Sequence, residues 1–244
     1  MRRTMAFLAL AAGSVAANAG TILIEDFFGD PGFHIQSADL SGAVFNPGTN
    51  PVIDDQDLLD IGNHIIANWG GTAGQLNALN NSVIVFAIDT TDGLALFTAF
   101  GGTNGGSAGS AQMTLNFDPT NPHTLWYNDA GEGFTQDTGV LDQAFGSFSW
   151  NGTTDPVDAV AIAGLTVGES GGVQYANVST DGGNSVVSTF SFLTFHNGQW
   201  HIAHQVIGLS TATTQGFNYA VVPLPGAAGM GLAGLALVGV RRRR

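Results

Sequence analysis

The feature that most constrains this chain is the absence of lysine, arginine and cysteine from its whole interior. The six basic residues are Arg2, Arg3 and Arg241–Arg244, and the sequence contains no lysine and no cysteine. All nineteen acidic residues lie between Glu25 and Asp181. Neither a disulfide nor a salt bridge to lysine or arginine can hold this region together, so a hydrophobic core and backbone hydrogen bonds must do so.

The charge balance also excludes several classes of partner. The predicted domain, residues 20–219, carries nineteen Asp and Glu and no Lys or Arg, which gives a formal charge of −19 with histidine neutral. Because it has no basic side chains to neutralise phosphates, nucleic-acid binding is excluded and attraction to anionic membranes is disfavoured. With 44% hydrophobic and 10% charged residues overall, the composition is that of a folded domain rather than a disordered polyanion.

Short β-rich runs separated by Gly, Asn and Asp turns fill most of this domain. The turns include Asp89–Gly93 and Ser179–Asn184, and such residues favour tight connections between antiparallel strands. The pattern predicts an all-β fold, either an antiparallel β-sandwich or a jelly roll. The predicted strands are Thr21–Phe28, Ser82–Ile88, Leu94–Phe100, Ala111–Phe117, His123–Tyr127, Phe145–Trp150, Ala159–Val167, Val173–Val178, Ser185–Phe195 and Gln199–Ile207.

One segment interrupts the strand pattern and predicts a short helical insert. Leu58, Ile61, Ile65 and Trp69 recur at helical spacing, with aspartates before them and two glycines after them that could cap the ends. A second, weaker helix is predicted over Ala73–Leu79. We expect the insert to lie across one sheet.

The pair Asn197–Gly198 predicts a two-residue type I′ hairpin turn. If these two residues form the turn, the register of the flanking strands follows from it. The expected facing pairs are Phe195 with Trp200 and Leu193 with Ile202, on a core face. On a regular strand His201 and His204 would then point to opposite sides of the sheet, which makes them a poor metal pair.

The N-terminus has the three parts of a secretory signal peptide. Arg2–Arg3 form a basic region, Met5–Ala12 form an apolar region, and Ala17 and Ala19 fill an A-x-A cleavage site. We therefore expect residues 1–19 to form a signal helix that signal peptidase removes after Ala19.

The C-terminus, residues 220–244, is predicted to be a sorting signal with a hydrophobic helix. The apolar run Gly226–Val240 would span about 22 Å as a helix, which is short for a membrane of about 30 Å, so a permanent anchor remains the alternative to cleavage. The arginines after it would stop translocation and stay in the cytoplasm. The motif residues are Val222, Pro223, Leu224 and Pro225, and the basic terminus is Arg241, Arg242, Arg243 and Arg244.

This arrangement of a proline motif, a short hydrophobic segment and a basic terminus resembles the PEP-CTERM family of exosortase-processed bacterial proteins. Leu224 stands where that family usually has glutamate. The resemblance is limited to the C-terminal signal. It implies an exosortase-like processing enzyme as partner, transient membrane attachment through the C-terminus, and a role with polysaccharide in the extracellular matrix or cell envelope.

Calcium is the candidate cofactor, because the domain has no other strong cation for its carboxylates. Asp129, Glu132 and Asp137 lie in one Gly-rich loop, and calcium prefers oxygen ligands from such loops. The spacing is not that of an EF-hand, and aspartate also favours turns for purely structural reasons. His196 with His201 is a weaker candidate for a transition metal.

Catalytic motifs are weak. The segments Gly105–Gly109 and Gly168–Gly172 match G-x-S-x-G, but strand-like sequence follows both where a nucleophile elbow needs a helix. Trp126, Tyr127 and Trp150 could stack on a sugar, although buried aromatic residues are common in a β-sandwich.

The sequence therefore predicts a secreted or cell-surface matrix protein that is not an enzyme. The alternative is a calcium-stabilised carbohydrate-binding or adhesive module. A secreted hydrolase is the least favoured alternative.

Overall fold

The computed structural model describes residues 20–25, 27, 31–40, 55–80, 82–90, 93–100, 108–116, 124–127, 135–137, 143–150, 158–179, 187–210 and 214–223. These residues form fourteen strands and two helices. In chain order they are β1 Thr21–Glu25, β2 Phe33–Gln36, β3 Ala38–Asp39, α1 Asp55–Ala67, α2 Ala73–Asn77, β4 Ser82–Thr90, β5 Gly93–Phe100, β6 Gly109–Asn116, β7 Thr124–Tyr127, β8 Thr135–Asp137, β9 Gln143–Trp150, β10 Asp158–Leu165, β11 Ser170–Ser179, β12 Val187–His196, β13 Gln199–Ser210 and β14 Gln215–Val222.

The strands form two sheets that pack face to face. The first sheet has the order β2-β1-β14-β11-β6-β9-β8, and the second has the order β13-β12-β4-β5-β10-β7, with β3 paired to β4. All pairings in the first sheet are antiparallel. The second sheet is mixed, because β12 and β3 both run parallel to β4. The all-β sandwich predicted from the sequence is confirmed, with one mixed sheet in place of two antiparallel ones.

The inner core lies between the two sheets and contains most of the large buried side chains. Phe27 packs edge-on against Phe192, with ring centroids 4.9 Å apart. Polar contacts also join the two sheets: the hydroxyl groups of Tyr175 and Thr98 lie 2.9 Å apart, and the Gln36 amide donates to Oγ1 of Thr194 at 2.9 Å. Burial raises the pKa of Tyr175, so the phenol stays protonated and able to donate.

The outer core lies between the second sheet and the helical insert. Leu58, Ile61 and Ile65 of α1 are buried there. Because this sheet is covered on both faces, its central strands read as nearly continuous apolar runs, and β5 is buried from Leu94 to Phe100. The outer face of the first sheet instead shows the alternation of a strand with one solvated side, as in β9.

Trp200 of β13 fills the centre of the outer core and is fully buried. Its indole Nε1 donates to Nδ1 of His64 at 3.1 Å. Burial lowers the pKa of His64, which favours the neutral imidazole that this acceptor role requires. Helix α1 ends at Ala67, so Trp69, which the sequence pattern placed on the helical stripe, lies beyond the helix and instead forms a bridge to Trp200.

The predicted hairpin is confirmed, and so is its register. Asn197 and Gly198 both have positive φ, 51° and 78°, as a type I′ turn requires. The observed facing pairs include Phe195 with Trp200 and Leu193 with Ile202.

The prediction that His201 and His204 point to opposite sides is wrong. The pairing of β12 with β13 shifts after Leu193, so that His201 faces Thr194 while His204 faces Phe192. The extra residue in this β-bulge is Ala203. Because Thr194 and Phe192 are two positions apart on β12, they lie on one side of the sheet, and both histidines lie there with them.

We expect the two apolar positions of α1 to respond differently to truncation. Ile61→Ala removes a side chain that is 2% exposed and should lower the free energy of unfolding by about 2–4 kcal/mol. Leu59→Ala, on the same helix at 51% exposure, should change it by less than about 0.5 kcal/mol. Urea unfolding of both variants measures the difference, and equal losses would contradict the placement of the helix on the sheet.

Candidate functional site

The two ends of the folded domain lie side by side in the first sheet. Strand β1 pairs antiparallel with β14, and the register places Thr21 opposite Val222. Gly20 precedes β1, and the exposed Pro223 follows β14. Proline has no N–H to donate to a ladder. The start of β1 and the end of β14 therefore lie together, so the chain enters and leaves the domain at the same end of these two strands.

The end of β14 is held on both sides. Beside β1, a backbone bond from Val221 N to Glu169 O (2.8 Å) and another from Gly168 N to Val221 O (2.9 Å) tie it to the turn between β10 and β11. The side chain of Val221 is 3% exposed. The strand therefore continues into the first residue of the proline motif, Val222.

The predicted sorting residues straddle this exit point. Val222 is the last residue of β14, three positions beyond the predicted domain end at 219, and Pro223 comes next. Leu224, Pro225 and the arginines Arg241, Arg242, Arg243 and Arg244 lie outside the described residues, as do Ala17 and Ala19 of the predicted cleavage site. Among the residues that the structure describes, none belongs to a helix long and apolar enough to cross a membrane.

The predicted calcium ligands are not brought together by the described part of the chain. Asp137 ends β8, opposite Gln143 of β9, whereas Asp129 and Glu132 lie outside the described residues. Within the described ranges, no group of three or more His, Asp or Glu side chains is placed to hold a metal ion. Calcium binding by these three residues stays a prediction.

The one G-x-S-x-G match that the structure describes in full lies at the turn that leads from β10 of the second sheet to β11 of the first. Gly168 has φ of +96° and Ser170 begins β11, so the order is strand, turn and strand. The carboxylate of Glu169 accepts from the Thr166 amide and from its hydroxyl, both at 2.8 Å. This acid fixes the turn, and the motif lacks the strand-to-helix geometry of a nucleophile elbow.

An uncharged groove of about 340 Å³ lies on the outer face of the first sheet. Its outward side chains come from three neighbouring strands, where Phe145 faces Thr114 and Ser147 faces Gln112 across β6 and β9, and Gln174 faces Thr114 across β11. Phe145 is 43% exposed. Among the described residues, the groove is lined by Gln112, Met113, Thr114, Phe145, Gly146, Ser147, Gln174, Tyr175, Ala176 and Thr214.

The groove offers an aromatic ring surrounded by amides and hydroxyls, and none of the described residues that line it is charged. The orientation of Gln112 is set by its neighbour, because its Oε1 accepts from Nδ2 of Asn177 at 2.9 Å. The amide nitrogen of Gln112 then remains as a donor. A site of this composition suits a neutral, hydroxyl-rich ligand that has an apolar face.

Phe145 was not among the aromatic residues singled out from the sequence. Trp150 is 3% exposed and belongs to the inner core, so it is not available for stacking. Trp126 and Tyr127 lie in β7, whose side chains the structure does not describe. The alternation of side chains along β9 could have identified Phe145. If Phe148 and Trp150 face the core, Phe145 lies on the opposite face together with Ser147.

Comparison with known proteins finds no matching family model, no similar curated protein and no similar solved structure.

We expect the last three residues of β14 to be essential for stability. A chain that ends at residue 219 loses the buried Val221 and the backbone bonds of residues 220–222. It should be destabilised by more than about 3 kcal/mol relative to a chain that ends at residue 223. A chain that ends at residue 222 lacks only the exposed Pro223 and is the matched control. Chemical denaturation measures all three, and equal stability of the shortest form would contradict the pairing of β1 with β14.

Proposed function

We propose that this chain is an exported, non-catalytic protein that works at the cell surface or in the extracellular matrix. The observation that carries the proposal is the pairing of Thr21 with Val222. It places the segment after the predicted signal peptide beside the segment before the predicted sorting signal. A signal peptidase and an exosortase-like enzyme would then meet their substrates at one edge of an already folded domain.

The charge distribution is consistent with this role. A domain with a formal charge of −19 resists self-association and stays soluble outside the cell. The arginines of the full chain lie only in the two terminal segments, which export would remove or leave in the membrane. While the chain is attached, the outer face of the first sheet remains open to solvent along its exposed side chains.

A second candidate function, binding of a neutral polysaccharide, is favoured by the groove at Phe145. Sugar rings present hydroxyl groups that amides and hydroxyls can bind, and a C–H face that stacks on an exposed aromatic ring. The acidic domain would repel polysaccharides that carry carboxylate or sulfate groups. We therefore propose a neutral glycan as ligand.

Export is tested by fractionating cells that express the full chain and by measuring the mass of the product. We expect material outside the cytoplasm that begins at Gly20 and lacks Arg241–Arg244. The substitution of Ala17 and Ala19 by bulky residues should retain residues 1–19. A cytoplasmic product with both ends intact would overturn the proposal, while an exported product that keeps Arg244 would favour a permanent anchor.

Glycan binding is tested by co-sedimentation with insoluble cellulose and β-1,3-glucan and by affinity electrophoresis in soluble neutral glucans. Phe145→Ala should weaken binding at least about tenfold, because it removes the stacking surface. Phe145→Trp should retain binding, and Leu59→Ala, which truncates another exposed apolar residue, should leave it unchanged. Equal behaviour of Phe145→Ala and the unsubstituted protein would exclude this groove as the site.

A further inference from the structure

Gly20, the first described residue, is fixed in position against a carboxyl group. Its carbonyl oxygen accepts from the Ser37 amide at 2.9 Å, and its own backbone N–H is hydrogen-bonded to the carboxyl group of Asp89. A Cβ added to Gly20 would come within 2.7 Å of Leu94, which is the β5 partner of Asp89. Packing and hydrogen bonds therefore hold the nitrogen of Gly20 beside Asp89.

Asp89 lies in an environment that disfavours its negative charge. It faces Asp39 across the parallel pair β3–β4, and its Oδ2 is shielded from solvent without a hydrogen bond from the described residues. Burial raises the pKa of Asp89 to about 6, the charge of Asp39 adds to the rise, and the Gly20 amide opposes it. Among the described groups that contact this carboxyl, Asp39 is the titratable one.

We propose that cleavage after Ala19 completes this site, because the new α-ammonium group of Gly20 forms an ion pair with Asp89 that stabilises the processed domain. In the cleavage, water adds across the Ala19–Gly20 peptide bond. Ala19 leaves with a carboxylate, and the nitrogen of Gly20 becomes an amine that is protonated at neutral pH. The inference rests on the proposed export and gives signal-peptide removal a second consequence.

The sequence makes this charge unusual for the domain. Residues 20–223 contain no lysine or arginine, so the α-ammonium would be their one strong cation other than protonated histidine. Before cleavage, the same nitrogen is an amide that contributes only a dipole. After cleavage, a full positive charge stands in the same place, within hydrogen-bonding distance of a carboxylate that otherwise lacks a cationic partner among the groups that contact it.

Cleavage changes the pH range over which stability is lost. In the uncleaved chain the folded pKa of Asp89 lies above its ordinary value, so stability falls as pH rises from about 4 to about 6. In the cleaved chain the ammonium lowers the pKa of Asp89, and Asp89 raises the pKa of the amine above its ordinary value of about 8. The ion pair therefore contributes at neutral pH and is lost as pH rises through the folded pKa of the amine.

The experiment compares two forms of the chain Gly20–Arg244 in the same mild detergent. In one form a site-specific protease leaves Gly20 with a free amine, and in the other the amine is acetylated, which keeps an N–H donor but removes the charge. We expect the free-amine form to have a folding equilibrium constant about 5- to 10-fold larger at pH 7. The advantage should disappear above the pKa of the amine.

The substitution Asp89→Asn is the decisive variant. It should stabilise the acetylated form at pH 7, because it removes an unfavourable charge, and should destabilise the free-amine form, because it removes the ion pair. Asp39→Asn, at an exposed position of the same pair, should have a smaller effect without a reversal of sign. An effect of Asp89→Asn with the same sign and size in both forms would overturn the proposal.

A second measurement covers the case in which Asp89→Asn does not fold. Titration of ¹⁵N-labelled Gly20 by NMR should give a pKa above about 8 for the amine in the unsubstituted protein, and an ordinary value would overturn the proposal. These measurements on the purified chain do not depend on export. If the ion pair is present but the cell retains residues 1–19, the proposed export fails instead.

Discussion

The structure depends on the burial of apolar surface, supported by the backbone ladders of the two sheets and by side-chain hydrogen bonds between distant residues. Without lysine, arginine or cysteine in residues 20–223, neither salt bridges to such groups nor disulfides can join the layers. Two cores replace them. The second sheet contributes to both, with the inner core on one face and the helical insert over the other. The hydroxyl contact between Tyr175 and Thr98 is a polar exception whose partners satisfy each other, as burial requires.

The two terminal segments leave the sandwich at the same end of the paired strands β1 and β14. The two predicted processing sites would therefore lie next to the same part of the fold. Strand β14 lies between β1 and β11 inside the first sheet, so the C-terminal exit is not a loose edge strand. Processing at either end would act on segments that leave a completed ladder. The outer face of the first sheet remains exposed to solvent, and the groove at Phe145 lies on that face. The domain contains no lysine or arginine, and the described residues that line the groove carry no charge; both features favour a neutral ligand.

The sequence predicts the strands better than their irregularities. Alternation and turn residues are local signals, and each of the ten predicted strands is present. Strand β14 escaped prediction because its apolar end runs directly into the proline motif, and β2 and β3 are short edge pieces whose pairing is decided by distant residues. The placement of His201 and His204 on one side of the sheet, instead of the two sides predicted, also depends on more than local sequence signals. The bulge residue Ala203 has no local signature, yet it moves the side chains after it to the other face, until a second register shift opposite Ser188 and Phe190. The groove at Phe145 needs three strands that are far apart in the chain.

In a domain without lysine or arginine, the position of Gly20 would allow its backbone nitrogen to supply a positive charge after cleavage. A like-charged pair such as Asp39 and Asp89 would ordinarily be relieved by a neighbouring lysine or arginine. Here the nearest available charge is the backbone nitrogen that export would expose, and Ser37 and Leu94 already hold it in place. Glycine suits this position because a side chain here would require Leu94 to shift. A domain that lacks basic side chains could in this way be less stable before export than after it, since the same cut that releases the signal segment would supply the missing charge.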